Sequence, residues 1–498
     1  MPADIPPSHL LIIDIDGLRQ DVFYQALEEK RLPHIGRLVG GREAARGIHF
    51  AAVSTLPSVT FPSQTSLLTG LQPAQHGIAG NQFFDRFGLH NQGVPRFYAF
   101  DIGDTLILDD AVRVYSDEAG LLGETLDKTM LTLPEQFVQK GRSAGVVYHM
   151  LGRGATTWAR PALLDMARFQ KGGALFGLTP QAFDEHMLAN ARRLLVQHPH
   201  PDLLLVYFLG LDHHAHTHGP EVEMDYLCRV VDEQVGNLLK DLRRAGWMRN
   251  TLTAIVSDHG QIAVIEDDRH SLRLSFPFDR EMAYLFDALH LDVHDYPGEG
   301  PDCDAVVASN GGTAHVYLQN RQGQWKDAPH FTQDVLPVAQ AFWDANQTGI
   351  YCSDLQDALA MILARNVEQE GWRADYQVFT PAGLQPVGDF LAQYPQIQTV
   401  DAVARLRALA SPASGDLLLV SNYAGGFYFG APVKGTHGGL HPDDSLCVLS
   451  LAWSRASPKQ VAHLRQTAES IVSERKRAQG RQYASPADLV PVVQAVMK

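Results

Sequence analysis

The sequence predicts an α/β fold: a mostly parallel central sheet with helices on both faces. Two observations carry this. Short apolar runs recur without polar alternation, and segments of helical periodicity lie between them. The runs are HLLIIDID (9–16), AGVVYHM (144–150), DLLLVYFLG (202–210), LTAIVSD (252–258), AHVYLQ (314–319) and LCVLSLAW (446–453). Continuous apolar character suits strands covered on both sides, so all six are expected to be buried and parallel. Helix is expected over 132–143 and over 222–246, where Leu and Val recur at helical spacing. The segment 485–498 reads as a helix with Ser485 as its cap and Pro486 in its first turn. Residues 82–125 and 265–435 break the rhythm and read as insertions that cap the sheet. The expected division is a core of 1–264 and 436–498, with a substrate-selecting region at 265–435.

A chain of 498 residues exceeds what one core usually organises, so a large domain with insertions, or two domains, is expected. Hydrophobic residues at 45% and charged residues at 19% exclude disorder over most of the length. The net charge of −15 argues against nucleic-acid polymers and anionic membranes as partners, but leaves a small anion held by local cations. Cys228, Cys303, Cys352 and Cys447 are far apart and form no CxxC, which excludes a disulfide framework and a thiolate zinc site. No apolar run approaches the roughly 20 residues of a membrane span. The first residues lack the basic start and longer apolar stretch of a signal peptide, so the expected location is the cytoplasm.

In open α/β sheets ligands sit at the carboxyl ends of the strands. The run 9–16 ends in Asp14-Ile15-Asp16, and 202–210 leads into LDHHAHTHGP, with Asp212 and His216 four apart. The run 252–258 ends with Asp258 beside His259, and KGTHGG places His437 between glycines. Any one of these is commonly a turn cap or a hydrogen-bonded structural group. Together, three Asp and three His match the donors that two zinc ions need, with positions left open for substrate. Oxygen-only ligands would indicate magnesium or calcium instead. Asp14 is assigned to the opposite face from Asp16 and read as structural. His213, His214, His218 and His441 are read as bystanders.

Thr60, in SVTFPSQTSLLTG (58–70), stands where a helix begins. It could simply cap that helix. It could also be where an anion arrives, drawn by free N–H groups and the positive end of the helix. A zinc-bound hydroxyl there would ionise near neutral pH and become a nucleophile, and two metals could hold the attacking and leaving oxygens at phosphorus.

The segments IDGLR (15–19), TFPSQTSLLTGLQPAQHGIAGNQFFD (60–85), DHHAHTHGP (212–220), SDHGQ (257–261) and GTHGG (435–439) resemble the alkaline phosphatase superfamily. Within it they are most similar to the nucleotide pyrophosphatase/phosphodiesterase branch, over roughly 1–270 and 430–498. The resemblance implies a two-zinc hydrolase of phosphodiester or phosphoanhydride, nucleotide-like substrates. Thr60 would be the nucleophile, bound to a first zinc held by Asp16, Asp258 and His259. Asp212, His216 and His437 would hold the second. Asn81 would donate its amide to a phosphoryl oxygen. Phe61 would stack on the substrate or act as a core staple, and Phe83 and Phe84 are pocket wall or core.

The rivals separate by residue type. Sulfatases need Cys or Ser first in C/S-x-P-x-R, and here Thr60 and Gln64 occupy the Cys/Ser and Arg positions. Phosphomonoesterases of the Ser type add an Arg that grips the extra charge; none lies near Thr60, although Arg153 or Lys434 could reach in. Phosphonoacetate-type C–P hydrolases share the ligands and the threonine and remain an alternative, as does a monoesterase. A zinc-binding sensor without activity is the alternative from another class.

Overall fold

The computed structural model describes residues 5–101, 109–116, 118–170, 177–198, 200–274, 281–296 and 298–498. Parts of both expected insertions, 102–108 and 117 in one and 275–280 and 297 in the other, therefore lie outside the described residues. The chain is α/β. Its central sheet has seven strands in the order Gly47–Val53, Leu446–Trp453, Thr251–Val256, His9–Ile15, Leu203–Phe208, Ala144–Val147 and Thr157–Ala159. From Thr251–Val256 onward all neighbours are parallel.

At the other edge one strand departs from expectation, and the other lies outside the six runs marked in the sequence. Leu446–Trp453 runs antiparallel to Thr251–Val256, and Gly47–Val53 is antiparallel to Leu446–Trp453. Leu446–Trp453 is covered on both faces like its parallel neighbours, so its sequence carries the same unbroken apolar run whichever way it points. The run 314–319 is not in this sheet at all. Thr313–Leu318 lies in a second seven-stranded sheet, antiparallel to Ala305–Asn310 and Leu417–Ser421.

Alternate residues of the first strand enter two cores. Leu10 and Ile12 pack on the side of helices Thr60–Thr69, Pro458–Gln479 and Leu489–Val496. Leu11, Ile13 and Ile15 pack on the side of Gln20–Glu28, Pro33–Val39, Pro180–Gln197 and Asp232–Arg244. This two-sided burial is why the run HLLIID shows no polar alternation. It also corrects the placement of Asp14. Asp14 and Asp16 are two residues apart, share the parity of Leu10 and Ile12, and so face the same side.

The helices follow their local signals. Thr132 accepts from Glu135 N at 3.2 Å, and the Glu135 carboxylate accepts from Thr132 N at 2.7 Å, a capping box that starts Leu133–Gln139. Ser485 caps the turn Pro486–Asp488, which runs into Leu489–Val496. Over 222–246 the expected helix is present but reset by a π turn, Leu227–Val231, before Asp232–Arg244. The reset places buried Asp232 at the start of another helix, Pro33–Val39, which lacks a side-chain cap of its own. The Asp232 carboxylate accepts from His34 N at 3.1 Å and Ile35 N at 2.8 Å and supplies the missing partners.

The second sheet shares the core of the first. Leu336–Thr348 and Glu281–Ala288 cover one of its faces. From the other, Met361, Leu363, Leu418 and Val420 join the buried cluster that contains Leu10 and Ile12. A fully buried ion pair, Arg86 to Asp416 at 2.8 Å, ties the end of the short strand Gln82–Asp85 to this sheet. No helix among the described residues is long and apolar enough to cross a membrane.

Candidate active site

The site lies at the carboxyl ends of the central parallel strands. Asp16 follows His9–Ile15, and Asp258 and His259 follow Thr251–Val256. Strand Leu203–Phe208 runs into helix Gly210–His218, where Asp212 and His216 lie one turn apart, Nε2 to Oδ2 at 3.3 Å. His437 comes from far along the chain. It follows Gly435–Thr436, which pairs with Ile262–Ala263 just beyond His259 and so brings the two histidines together. Their rings stack with centroids 3.7 Å apart.

The ligand atoms of Asp16, Asp212 and His259 lie within 4.8 Å of one another, as do those of Asp212, His216 and His437. Asp212 belongs to both groups. Asp258 stands beside the first: its Oδ2 is 3.5 Å from His259 Nε2, while its Oδ1 accepts from Gly17 N and His259 N. Each histidine is oriented by a backbone carbonyl at Nδ1: Gly435 O for His216 at 2.7 Å, Ser58 O for His437 at 2.9 Å, and Gly260 O for His259 at 3.0 Å. A carbonyl only accepts, so Nδ1 carries a proton and Nε2 faces the cluster.

This arrangement fits divalent cations. The Nε2 atoms of His216 and His437 face each other at 3.2 Å, and buried Asp16 Oδ1 and Asp258 Oδ2 have no hydrogen-bond partner among the described residues. Lone pairs and carboxylates gathered out of water repel unless a cation stands among them. Burial, then Asp258 and Asp212, lifts the Asp16 carboxyl well above the usual range. Burial, then the neighbouring His259, pushes the His437 imidazole well below its usual value. Burial alone would raise Asp212 too, but His216, His437 and His259 around it hold it well below. Mixed imidazole and carboxylate donors are those zinc accepts.

Thr60 does not cap its helix. Thr60–Thr69 begins at Thr60 itself, with Val59 in the cap position and no side-chain cap bond. The Thr60 hydroxyl instead lies 3.2 Å from His259 Nε2. Phe61 stacks on Phe100, with centroids 5.0 Å apart, and lines a cavity of about 420 Å³ together with Thr60, Asn81, Asp212, His216 and His437. Phe83 and Phe84 are fully buried and belong to the core. Among the described residues lining the cavity there is no lysine or arginine. The Arg153 guanidinium is held by the carbonyls of Gly123 and Leu126 and by Glu135, and Lys434 lies 3.9 Å from Glu266. His441 caps Pro442–Ser445 and does not line the cavity, whereas His213 does.

Several supporting groups have no counterpart in the sequence reading. The Tyr207 hydroxyl donates to Asp16 Oδ2, and Gln261 Nε2 donates to Asp212 Oδ1 at 2.5 Å. Ser58 accepts from Gly438 N at 3.1 Å and donates to Gly439 O at 3.0 Å, which fixes the loop of His437. Asn81 N donates to Asn310 Oδ1 at 2.7 Å, from the second sheet. Only Gln261 had a signal, as the last residue of SDHGQ.

The model of one family, described as Type I phosphodiesterase / nucleotide pyrophosphatase, matches residues 10–341. That span includes Thr60, Asn81 and each of the clustered Asp and His residues except His437. An uncharacterized pyrophosphatase/phosphodiesterase of Schizosaccharomyces pombe is 35% identical over 79 residues, 16% of this chain and 14% of that protein. Human bis(5'-adenosyl)-triphosphatase ENPP4 is 22% identical over 272 residues, 53% of this chain and 50% of that protein. The chain thus spans half or less of the length of these curated relatives. Among solved structures, murine ectonucleotide pyrophosphatase/phosphodiesterase 5 superposes with a TM-score of 0.53 at 14% identity, covering 89% of this chain and 88% of that one. At that identity the likeness is one of fold.

Proposed function

The chain belongs to the Type I phosphodiesterase / nucleotide pyrophosphatase family, and from that premise we propose that it hydrolyses phosphodiesters or phosphoanhydrides with nucleotide-like substituents, using two zinc ions and a covalent intermediate on Thr60. The observation that carries this is the Thr60 hydroxyl. It is released from any capping role and lies 3.2 Å from His259, beside two Asp/His groups that share Asp212.

Asp16, Asp258 and His259 would hold one cation, and Asp212, His216 and His437 the other. When bound, the cations supply Lewis acidity, lowering the pKa of the threonine hydroxyl and offsetting phosphoryl charge. Thr60 Oγ1 attacks phosphorus in line as the bond to the leaving oxygen breaks, and a phosphorylated threonine ester forms. Water then cleaves that ester and restores the hydroxyl. The positive end of the Thr60–Thr69 helix adds potential where charge builds up. Asn81 donates from its amide to a phosphoryl oxygen, and Phe61 and Phe100 wall the substituent.

A neutral amide grip and a cavity wall without lysine or arginine among its described residues suit a single negative charge better than two. The AMP complex of an inactive variant of murine ectonucleotide pyrophosphatase/phosphodiesterase 5 supports a nucleotide-like ligand for this fold. The test is a panel on zinc-loaded protein: bis(p-nitrophenyl) phosphate, p-nitrophenyl phosphate, a dinucleoside polyphosphate and phosphonoacetate. Turnover of the diester and the anhydride, abolished by chelation, is expected. Preference for the monoester or for phosphonoacetate would overturn the substrate class. Two bound zincs with no turnover of any of the four would favour a sensor.

A further inference from the structure

Resting on that phosphodiesterase reading, we propose that Asp101 is a positioning residue for Asn81 and that its negative charge sets the preference of the site for singly over doubly charged phosphoryl groups. An asparagine amide can present either its oxygen or its NH₂ to a ligand, and the two orientations occupy the same volume. Here both ends are fixed. The Oδ1 of Asn81 accepts from Phe61 N at 3.0 Å, which only an oxygen can do. Its Nδ2 donates to Asp101 Oδ2 at 3.0 Å, which only the NH₂ can do. One N–H of the amide is left for a ligand.

The main chain is clamped as firmly. Asn310 Oδ1 accepts from Asn81 N and from Gln82 N, at 2.7 and 3.2 Å, and Asn310 Nδ2 donates to Gln82 O at 3.0 Å. Phe100 N donates to Asn81 O at 3.0 Å, which brings the next residue, Asp101, alongside. Asp101, Asn81, Thr60, Phe61 and His216 line one cavity. The second oxygen of Asp101, Oδ1, is buried without a hydrogen-bond partner among the described residues. Burial lifts the Asp101 carboxyl above the ordinary range, while the bond from Asn81 and the nearby His216 draw it back.

The consequence is charge discrimination. A carboxylate beside the phosphoryl pocket opposes each added negative charge on the ligand. A monoester dianion meets that repulsion twice and a diester once. The Coulomb scale for two charges about 4 Å apart in water gives about fivefold discrimination per charge.

Two variants separate the two roles. Asp101→Asn keeps an acceptor for the Asn81 amide and removes the charge. It is expected to change kcat/KM for bis(p-nitrophenyl) phosphate by no more than a few-fold, because a weaker hold on the amide offsets one unit of lost repulsion, and to raise the monoester-to-diester ratio about fivefold. Asp101→Ala also frees the amide to turn, and diester kcat is expected to fall roughly tenfold with KM little changed. Calorimetric titration with inorganic phosphate at pH 8 reads the same discrimination without turnover. Asp101→Asn should bind the phosphate dianion about 25-fold more tightly, about fivefold for each of its charges, with metal content unchanged.

A monoester-to-diester ratio and a phosphate affinity both within twofold of wild type would overturn the proposal. So would loss of bound metal in Asp101→Asn, which would make Asp101 part of the metal site. A wild-type protein inactive on both esters would refute the preceding functional reading, and the phosphate titration would still decide the role of Asp101.

Discussion

Gly17→Ala should weaken metal binding from a position that holds no ligand atom. Gly17 has a φ of +68°, in the left-handed region, and its N–H donates to Asp258 Oδ1 at 3.1 Å. A Cβ built on it would lie 2.7 Å from Asp212 Oδ1 and 3.0 Å from Asp212 Cβ. The left-handed conformation costs an alanine about 1–2 kcal/mol. The contact adds a second term, because Asp212 must move by some tenths of an ångström, and Asp212 belongs to both donor groups. Disturbing the support of a metal site lowers affinity by roughly 10–100-fold, or about 1.4–2.8 kcal/mol. Gly41 provides the control. Its φ is +72°, yet nothing lies within 4 Å of its would-be Cβ, so Gly41→Ala should show only the conformational loss. Zinc affinity measured by competition with a chelator reads the second term. Urea unfolding in excess chelator reads the first. Equal zinc affinity in Gly17→Ala and Gly41→Ala would refute the placement of Asp212 as a metal ligand.

Other outcomes follow from buried charges. Burial lifts the Asp184 carboxyl to about 7, against the hydrogen bonds it accepts from Tyr226 and Gly210. A carboxyl raised in the folded state keeps its proton while the unfolded chain loses its own. Stability from this group is therefore whole below about pH 4 and is lost as pH rises toward 7, by a few kcal/mol in total. Urea unfolding of wild type and Asp184→Asn should show that pH-dependent difference, and parallel pH profiles would refute it. Arg86→Met should destabilise by about 3–5 kcal/mol, because Asp416 would remain fully buried without its ion-pair partner. Adding Asp416→Asn should recover part of the loss in the same assay.

The strands and the residues at their ends were legible because burial on both faces forces unbroken apolar runs that stop where the chain meets the site. Asp16, Asp212 and Asp258 each stand just past such a stop. Strand direction was not legible for the same reason. Leu446–Trp453 is covered on both faces whether parallel or antiparallel, and Thr313–Leu318 is covered on both faces within a different sheet. Asp14 was misplaced through the parity of the strand, which puts it on the side of Asp16. The roles of Asp101 and Asn310 depend on distant segments meeting around Asn81, and no local spacing encodes that meeting. The orienting partners of the histidines are main-chain carbonyls, which leave no trace in residue type.

In the proposed reaction the Thr60 hydroxyl is the nucleophile, supported by cations that other residues hold. Diester turnover and bound zinc, measured side by side for Thr60→Ala and wild type, test it most directly. A nucleophilic Thr60 means that Thr60→Ala loses at least about a thousandfold in turnover with two zincs retained per chain. Turnover within tenfold of wild type at the same zinc content would contradict it.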